Sequence, residues 1–365
     1  MERKMFYRIA SLTLFSQMIL PSFAPFVCEE TTADVRLERT DEKPPEGEDR
    51  TSGNISHRKI PGGWFFHSPE ESNTGLMVSD DYTSLRLTGQ KHDFVSMGEE
   101  WFIRVALECR LILMGYVSVH AAAVTLDGGA YVFSGPSGTG KSTRAKAWCD
   151  ALGAELISGD RPLLHVESLE LYGVPWDGKE HCHKNVHFPL RAFLEIRRSS
   201  LNYLRKMSFD QCRKFLIRQC FLPIWDTDTA AVQMRNILYL ARKTPVVRAF
   251  CGPAGEDAGE ILKKVGENAF KEEKNDMKAK SGFVLRKIAD EYMLMPVNDN
   301  IGKFNGAVVL NEVSSFIWEK LQNPVSCEDL LEYIVEEYDV DKVTAKNDLD
   351  SLLDTLQEMD VIDLL

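Results

Sequence analysis

The chain has 365 residues, 44% hydrophobic and 27% charged, an ordinary globular composition long enough for one large and one small core. No apolar run approaches the roughly eighteen residues of a spanning helix, so no membrane partner is expected. The net charge of −12 belongs wholly to residues 282–365, where eighteen acidic residues face six basic ones. Such a segment argues against a nucleic-acid partner, which needs a basic footprint.

The opening residues MERKMFYRIASLTLFSQMILPSFAPF read as a strand pair rather than a signal peptide. Arg8 and Gln17 interrupt the apolar stretch, and no small-residue cleavage site closes it. Eight cysteines are scattered without the dense spacing of a disulfide scaffold, which points to a reduced, cytoplasmic protein. The polar segment Ala33–His57, with Pro44 and Pro45, reads as a long exposed loop within a β-rich N-terminal portion, residues 1–115. Phe102, Val105, Ala106, Cys109 and Ile112 fall at helical spacing and predict a helix near Glu99–Met114. Two apolar runs follow, Ser118–Leu126 and Ala130–Phe133, and Asp127-Gly128-Gly129 between them signals a hairpin.

Next comes AYVFSGPSGTGKSTRAKAW, which contains G-x-x-x-x-G-K-[ST] from Gly135 to Ser142. A loop with Gly135, Ser137, Gly138, Thr139 and Gly140 lets backbone N–H groups converge on phosphates, and the following helix adds its dipole. Lys141 then reaches the β/γ-phosphates of ATP, while the Ser142 hydroxyl, with Thr143 beside it, meets Mg²⁺. The helix, Ser142–Leu152, shows an apolar face of Ala145, Trp148, Cys149 and Leu152. Ala154–Asp160 is a short strand whose Asp160 either ends a plain turn or serves the loop as metal ligand and proton acceptor. His120, flanked by Ala and Val, is by pattern alone a satisfied core histidine or a functional one.

Lys179 in YGVPWDGKE is either a phosphate contact or a solvated surface lysine. EHCHKNVH packs His181, Cys182, His183 and His187 together, but Pro189 follows and the spacing fits no standard zinc pattern. A helix near Ile261–Phe270 and a charged connector place a domain boundary near residue 275, which makes 116–275 the nucleotide core of a 1–275 domain. In the tail, 282–365, strands are predicted at Phe283–Ile288, Tyr292–Met295 and Ala307–Leu310. Three helices follow: one near Val313–Leu321, one capped by Ser326 with Asp329, and one with Leu349, Leu352, Leu353, Leu356 and Met359 on a single stripe. The arrangement is that of a small α+β winged helix.

The set H-A-A-A-V, G-P-S-G-T-G-K-S-T and I-S-G-D resembles the catalytic core of HPr kinase/phosphorylase and its serine-kinase relatives over Val117–Leu164, and more loosely to Cys251. The resemblance implies an α/β P-loop kinase with a mixed sheet, ATP and Mg²⁺ as cofactors, and His120 near the transferred phosphate. It implies Lys141 and Ser142 on nucleotide and metal, and Asp160 as base and second metal ligand. Gly159-Asp160 stands where the HPr enzymes have adjacent aspartates, so HPr itself is not the expected substrate. The YGVPWDGKE segment resembles one in homologues from peptide-modification gene clusters.

The tail, through V-V-L-N-E, F-I-W-E-K-L and L-L-D-T-L-Q-E-M-D-V-I, resembles the PqqD family, whose members bind leader segments of ribosomally made precursor peptides. Asp360 replaces a common glycine there. Together the resemblances imply a cytoplasmic Ser/Thr kinase acting on a captured precursor peptide. Other peptide-modifying enzymes and further copies of the chain are possible partners by the same analogy. A nucleotide-gated peptide carrier without phosphotransfer is the alternative.

Overall fold

The computed structural model describes residues 4–43, 46–52, 55–68, 71–89, 95–176, 182–198, 203–244, 246–252, 258–266, 277–288, 290–297 and 307–364. The chain divides into two compact units, Met1–Ala269 and Phe270–Leu365. Both are mixtures of helix and sheet.

The first unit opens with the strands Met5–Ile9 and Leu12–Ser16, paired antiparallel as the sequence predicts. They begin a sheet of eight described strands that ends at Arg50–Ser52. The polar segment Ala33–His57 departs from its loop reading. Its residues Val35–Arg39 form an interior strand, parallel to Leu12–Ser16 on one side and to Ser84–Leu87 on the other. Val35 and Leu37 are fully buried. Arg36, between them, lies over the Phe15 ring at 4.7 Å. Two alternating apolar residues suffice for a strand here because neighbours on both sides satisfy its backbone.

The helix Met97–Leu113 covers this sheet. A capping box closes its start: Ser96 Oγ accepts from Glu99 N, and the Glu99 side chain accepts from Ser96 N.

The second sheet carries the glycine-rich loop. Ala121–Leu126 and Gly129–Ser134 form the expected hairpin. Asp127 and Gly128 both have positive φ, +50° and +72°, the turn whose twist matches that of paired strands. Glu155–Ser158 pairs antiparallel with Ala121–Leu126. On the other side, Gly129–Ser134 runs parallel to the long strand His187–Arg198, which runs parallel to Val246–Cys251. Alternation along Gly129–Ser134 divides its side chains between two layers. Tyr131 and Phe133 meet Trp148 of the helix Lys141–Leu152, with ring centroids 5.1 Å apart in both pairs. Ala130 and Val132 join a core with Phe193, Phe215, Leu216, Ile237 and Leu240, the last four from Phe209–Gln219 and Thr227–Lys243. The loop is therefore suspended between a strand and a helix that are each packed hard. The next helix, predicted near Ile261–Phe270, spans Ala258–Gly266.

In the second unit, Phe283–Ile288, Glu291–Pro296 and Val308–Leu310 form an antiparallel three-stranded sheet. Met277–Ala279, upstream of Gly282, pairs with Ile362–Leu364. The helices are Glu312–Lys320, Cys327–Glu337 and Lys342–Glu358. Trp318, Leu330, Leu349, Leu353 and Leu356 are among their contributions to the core. Ser326 Oγ accepts from Asp329 N at 3.1 Å, the predicted cap. Asp360 has φ +57°, directly after the last helix. That left-handed position favours glycine, and aspartate is one of the few residues that tolerate it. No helix among the described residues is long and apolar enough to cross a membrane. Among the described residues no cysteine forms a disulfide.

Candidate functional site

The loop 135–140 gets its shape from three glycines with φ of +154°, +81° and +94° at 135, 138 and 140. A Cβ on Gly135 would stand 3.1 Å from Thr139 Oγ1 and 3.2 Å from Ile196 O. At Gly138 and Gly140 space is open, and the conformation alone requires glycine. Thr139 Oγ1 closes the turn by donating to Pro136 O at 2.9 Å. The helix Lys141–Leu152 then begins at Gly140 without a side-chain cap. Its first N–H groups are left to face whatever enters the loop, and the helix dipole makes an anion the favoured guest.

Lys141 folds back over the loop, its Nζ donating to Gly135 O at 3.0 Å and Pro136 O at 3.1 Å. Burial holds its ammonium below the ordinary lysine value, against the opposing pull of the Asp160 carboxylate. Ser142 is half-buried in the first helical turn, and Thr143 beside it is exposed. Ser137 is exposed at the loop tip.

His120 and Asp160 reach the same place from neighbouring strands. His120 immediately precedes the strand Ala121–Leu126. Its backbone is tied at both ends: its N donates to Gln219 O at 2.8 Å, and its O accepts from Ser134 Oγ at 2.8 Å. Asp160 follows Glu155–Ser158, and Ser158 Oγ donates to its carbonyl at 2.9 Å. Burial lowers the His120 pKa first, Lys141 second, and Arg161 adds to them, while Asp160 opposes. The Gln219 side chain, like Asp160, favours the charged ring. Lys141, His120 and Asp160 thus act on one another electrostatically although forty residues of sequence separate the outer two, and His120 is held neutral at physiological pH.

Sequence reasoning passed over three residues here. Arg198 Nη2 donates to Gly138 O at 2.7 Å and braces the loop tip. The half-buried Arg161 follows Asp160 with φ +52°. Gln219 comes from a helix with no local sign of belonging to the site. Only Arg161, adjacent to a chosen residue, was within reach of sequence reading.

Lys179 and His181 lie outside the described residues. The described members of the histidine-cysteine cluster point apart. Cys182 Sγ is 3.5 Å from Leu156 O, and His183 Nδ1 donates to Pro175 O at 2.7 Å. The His187 ring stacks on Tyr172 at 5.2 Å. Among the described residues, no group of three or more His, Cys, Asp or Glu is arranged to hold a metal.

The second unit has a groove of about 730 Å³ between the strand Val308–Leu310 and the helix Lys342–Glu358. Tyr292, Val308, Leu310, Leu352, Leu356 and Met359 give it an apolar lining, with Lys287, Asp290, Glu291 and Glu312 also on its walls. Val308–Leu310 is the edge of its sheet, and Val309 is 56% exposed. An edge strand beside an apolar helix face can accept an extended peptide as a further strand.

No curated protein matches the chain. A solved structure described as "TbiB1 in Complex with the TbiA(beta) Leader Peptide" is 27% identical over 23% of this chain and 93% of that one, with a TM-score of 0.21. Residues 291–362, which include the edge strand and the three helices of the second unit, match the family described as "Coenzyme PQQ synthesis protein D (PqqD)", so the second unit carries a PqqD-like domain.

Proposed function

We propose that the chain is an ATP-dependent kinase that phosphorylates a Ser or Thr hydroxyl of a ribosomally made precursor peptide, captured through its leader by the PqqD-like domain. The observation that carries this reading is the convergence of Lys141, His120 and Asp160 at a glycine-rich loop whose helix start is uncapped. ATP would supply the phosphoryl group, and Mg²⁺ would offset its charge. The N–H groups of Gly138–Thr143 would hold the phosphates, with Lys141 exchanging its two loop carbonyls for phosphate oxygens. Ser142 and Asp160 are the residues for the metal. Asp160 also accepts the proton of the attacking hydroxyl, and neutral His120 offers a hydrogen bond without adding repulsion or charge. The groove would take the leader as an added strand with alternate side chains on its apolar lining.

Intact-mass spectrometry tests the proposal. The chain is incubated with Mg·ATP and the precursor peptide encoded beside it. One added phosphate, absent with Lys141→Ala while peptide binding persists, is the expected result. Peptide and ATP binding with no mass gain from the wild-type chain would instead favour a nucleotide-gated carrier. The single aspartate in Gly159-Asp160 is the feature that gives that second reading its weight.

A further inference from the structure

We propose that Arg161 is a second phosphate-gripping cation of this site, holding the terminal phosphate of ATP. The inference rests on the nucleotide-binding reading above and assigns a residue that the loop motif does not contain.

Its backbone is built for placement. Arg161 is a non-glycine residue at φ +52°, a conformation that L residues adopt only at a cost. Surrounding bonds hold it there. Trp176 Nε1 donates to Arg161 O at 3.3 Å, and Ser158 Oγ donates to the preceding carbonyl at 2.9 Å. Val119 N donates to the following carbonyl, Pro162 O, at 3.2 Å. Three consecutive carbonyls, 160 to 162, are therefore fixed, and Val119, the residue before His120, supplies one of the bonds.

Its side chain is left wanting. Nη1 of Arg161 is buried and has no hydrogen-bond partner among the described residues. By contrast, Arg198 nearby is tied to the carbonyl of Gly138. A buried guanidinium nitrogen without a partner is costly and uncommon in folded proteins. Its planar fork matches the oxygens of a phosphate better than those of most other anions. Position supplies the ligand: Arg161 follows Asp160, and its charge is felt by the His120 ring, which also feels Lys141. Two cations, one from the loop and one next to Asp160, thus act on the same ring.

The test is calorimetric binding of Mg·ATP and Mg·ADP to the full chain and to its Arg161→Ala and Arg161→Lys variants, with no peptide and no turnover. Arg161→Ala is expected to lower ATP affinity about tenfold to a hundredfold, the size of a lost charge-assisted bond, with ADP affinity changed less than about threefold. Arg161→Lys falls between. Arg161→Gly removes the guanidinium while relaxing the left-handed backbone, so it keeps the test valid if the alanine variant folds poorly. Equal losses for ATP and ADP, or no loss for either, would overturn the assignment of Arg161 and leave the nucleotide site standing. A wild-type chain that binds neither nucleotide would instead refute the reading on which the inference rests.

Discussion

Trp148 links the stability of the first unit to the loop, and the cost of altering it can be worked from its surroundings. It is fully buried beneath the helix Lys141–Leu152, with Tyr131 and Phe133 against its rings. Truncating a core tryptophan to alanine costs about 3–5 kcal/mol. Here the indole Nε1 is buried without a hydrogen-bond partner among the described residues. Deleting that group removes an existing penalty of about 1–3 kcal/mol, so the net cost of Trp148→Ala falls to about 2 kcal/mol at the centre of the two ranges. Trp148→Phe loses only part of the apolar burial, about 1–2 kcal/mol, and sheds the same unpaired donor. It should lie within about 1 kcal/mol of the parent. Hydrogen exchange of residues 141–152 across a urea series reads this unit separately from the PqqD-like domain. Trp148→Ala should also weaken nucleotide binding, because a loosened helix no longer aims its first N–H groups. A Trp148→Phe chain destabilised by clearly more than about 1 kcal/mol would refute the claim that the indole N–H is a burden.

Gly135→Ala should reduce nucleotide affinity at least about tenfold in a titration with a fluorescent ATP analogue, since its Cβ would press on Thr139 Oγ1 and Ile196 O and its φ is +154°. Burial and the Lys141 charge depress the pKa of His120, so its contribution to stability is complete above the unfolded value of about 6.5 and is lost as pH falls through the folded value. His120→Gln should therefore flatten the pH dependence of unfolding below about pH 6.5, with His57, also depressed by burial, supplying the residual slope. Val309→Asp should cost at least about tenfold in leader affinity by fluorescence anisotropy while leaving the melting temperature unchanged, because Val309 is exposed on the edge strand and a carboxylate there would have to lose its water beneath the added strand.

What the sequence made readable was what local chemistry determines. The Asp127-Gly128 turn announced its hairpin, and Ser326 with Asp329 announced a helix start. The residues Phe102 to Ile112 announced the helix that became Met97–Leu113. Each feature is specified within a dozen residues. The strand Val35–Arg39 was missed because its stability comes from two parallel neighbours far along the chain, while its own charges resemble a loop. The long strand His187–Arg198 was obscured by Pro189 and the histidines at its start. It takes its place from parallel pairing with Gly129–Ser134 and Val246–Cys251. At the candidate site, the glycine loop was readable from spacing, and the neighbourhood of Asp160 from the short strand that precedes it. The unpartnered Arg161 nitrogen, the Arg198 brace and the approach of Gln219 have no sequence signature, because each depends on where three separate strands and a helix end.

The two halves of the proposed activity ask for opposite electrostatics, and the chain divides them accordingly. Triphosphate binding needs converging N–H dipoles and a few well-placed cations, and the first 281 residues, neutral overall, provide Lys141, Arg161 and an uncapped helix start without a broadly basic surface. Peptide capture needs backbone complementarity at an edge strand and an apolar groove, and residues 282–365 provide both within a surface of charge −12. A field of that sign discourages a polyanionic nucleotide from settling in the groove and favours a leader bearing basic side chains. The acceptor hydroxyl can then be held weakly at the loop, because tethering its leader raises its effective concentration without new contacts at the chemical centre. On the proposed reading, specificity would belong to the groove and chemistry to the loop. Substitutions in the groove should therefore act on peptide affinity, and substitutions at Lys141 or Asp160 on transfer, with little crossing between them.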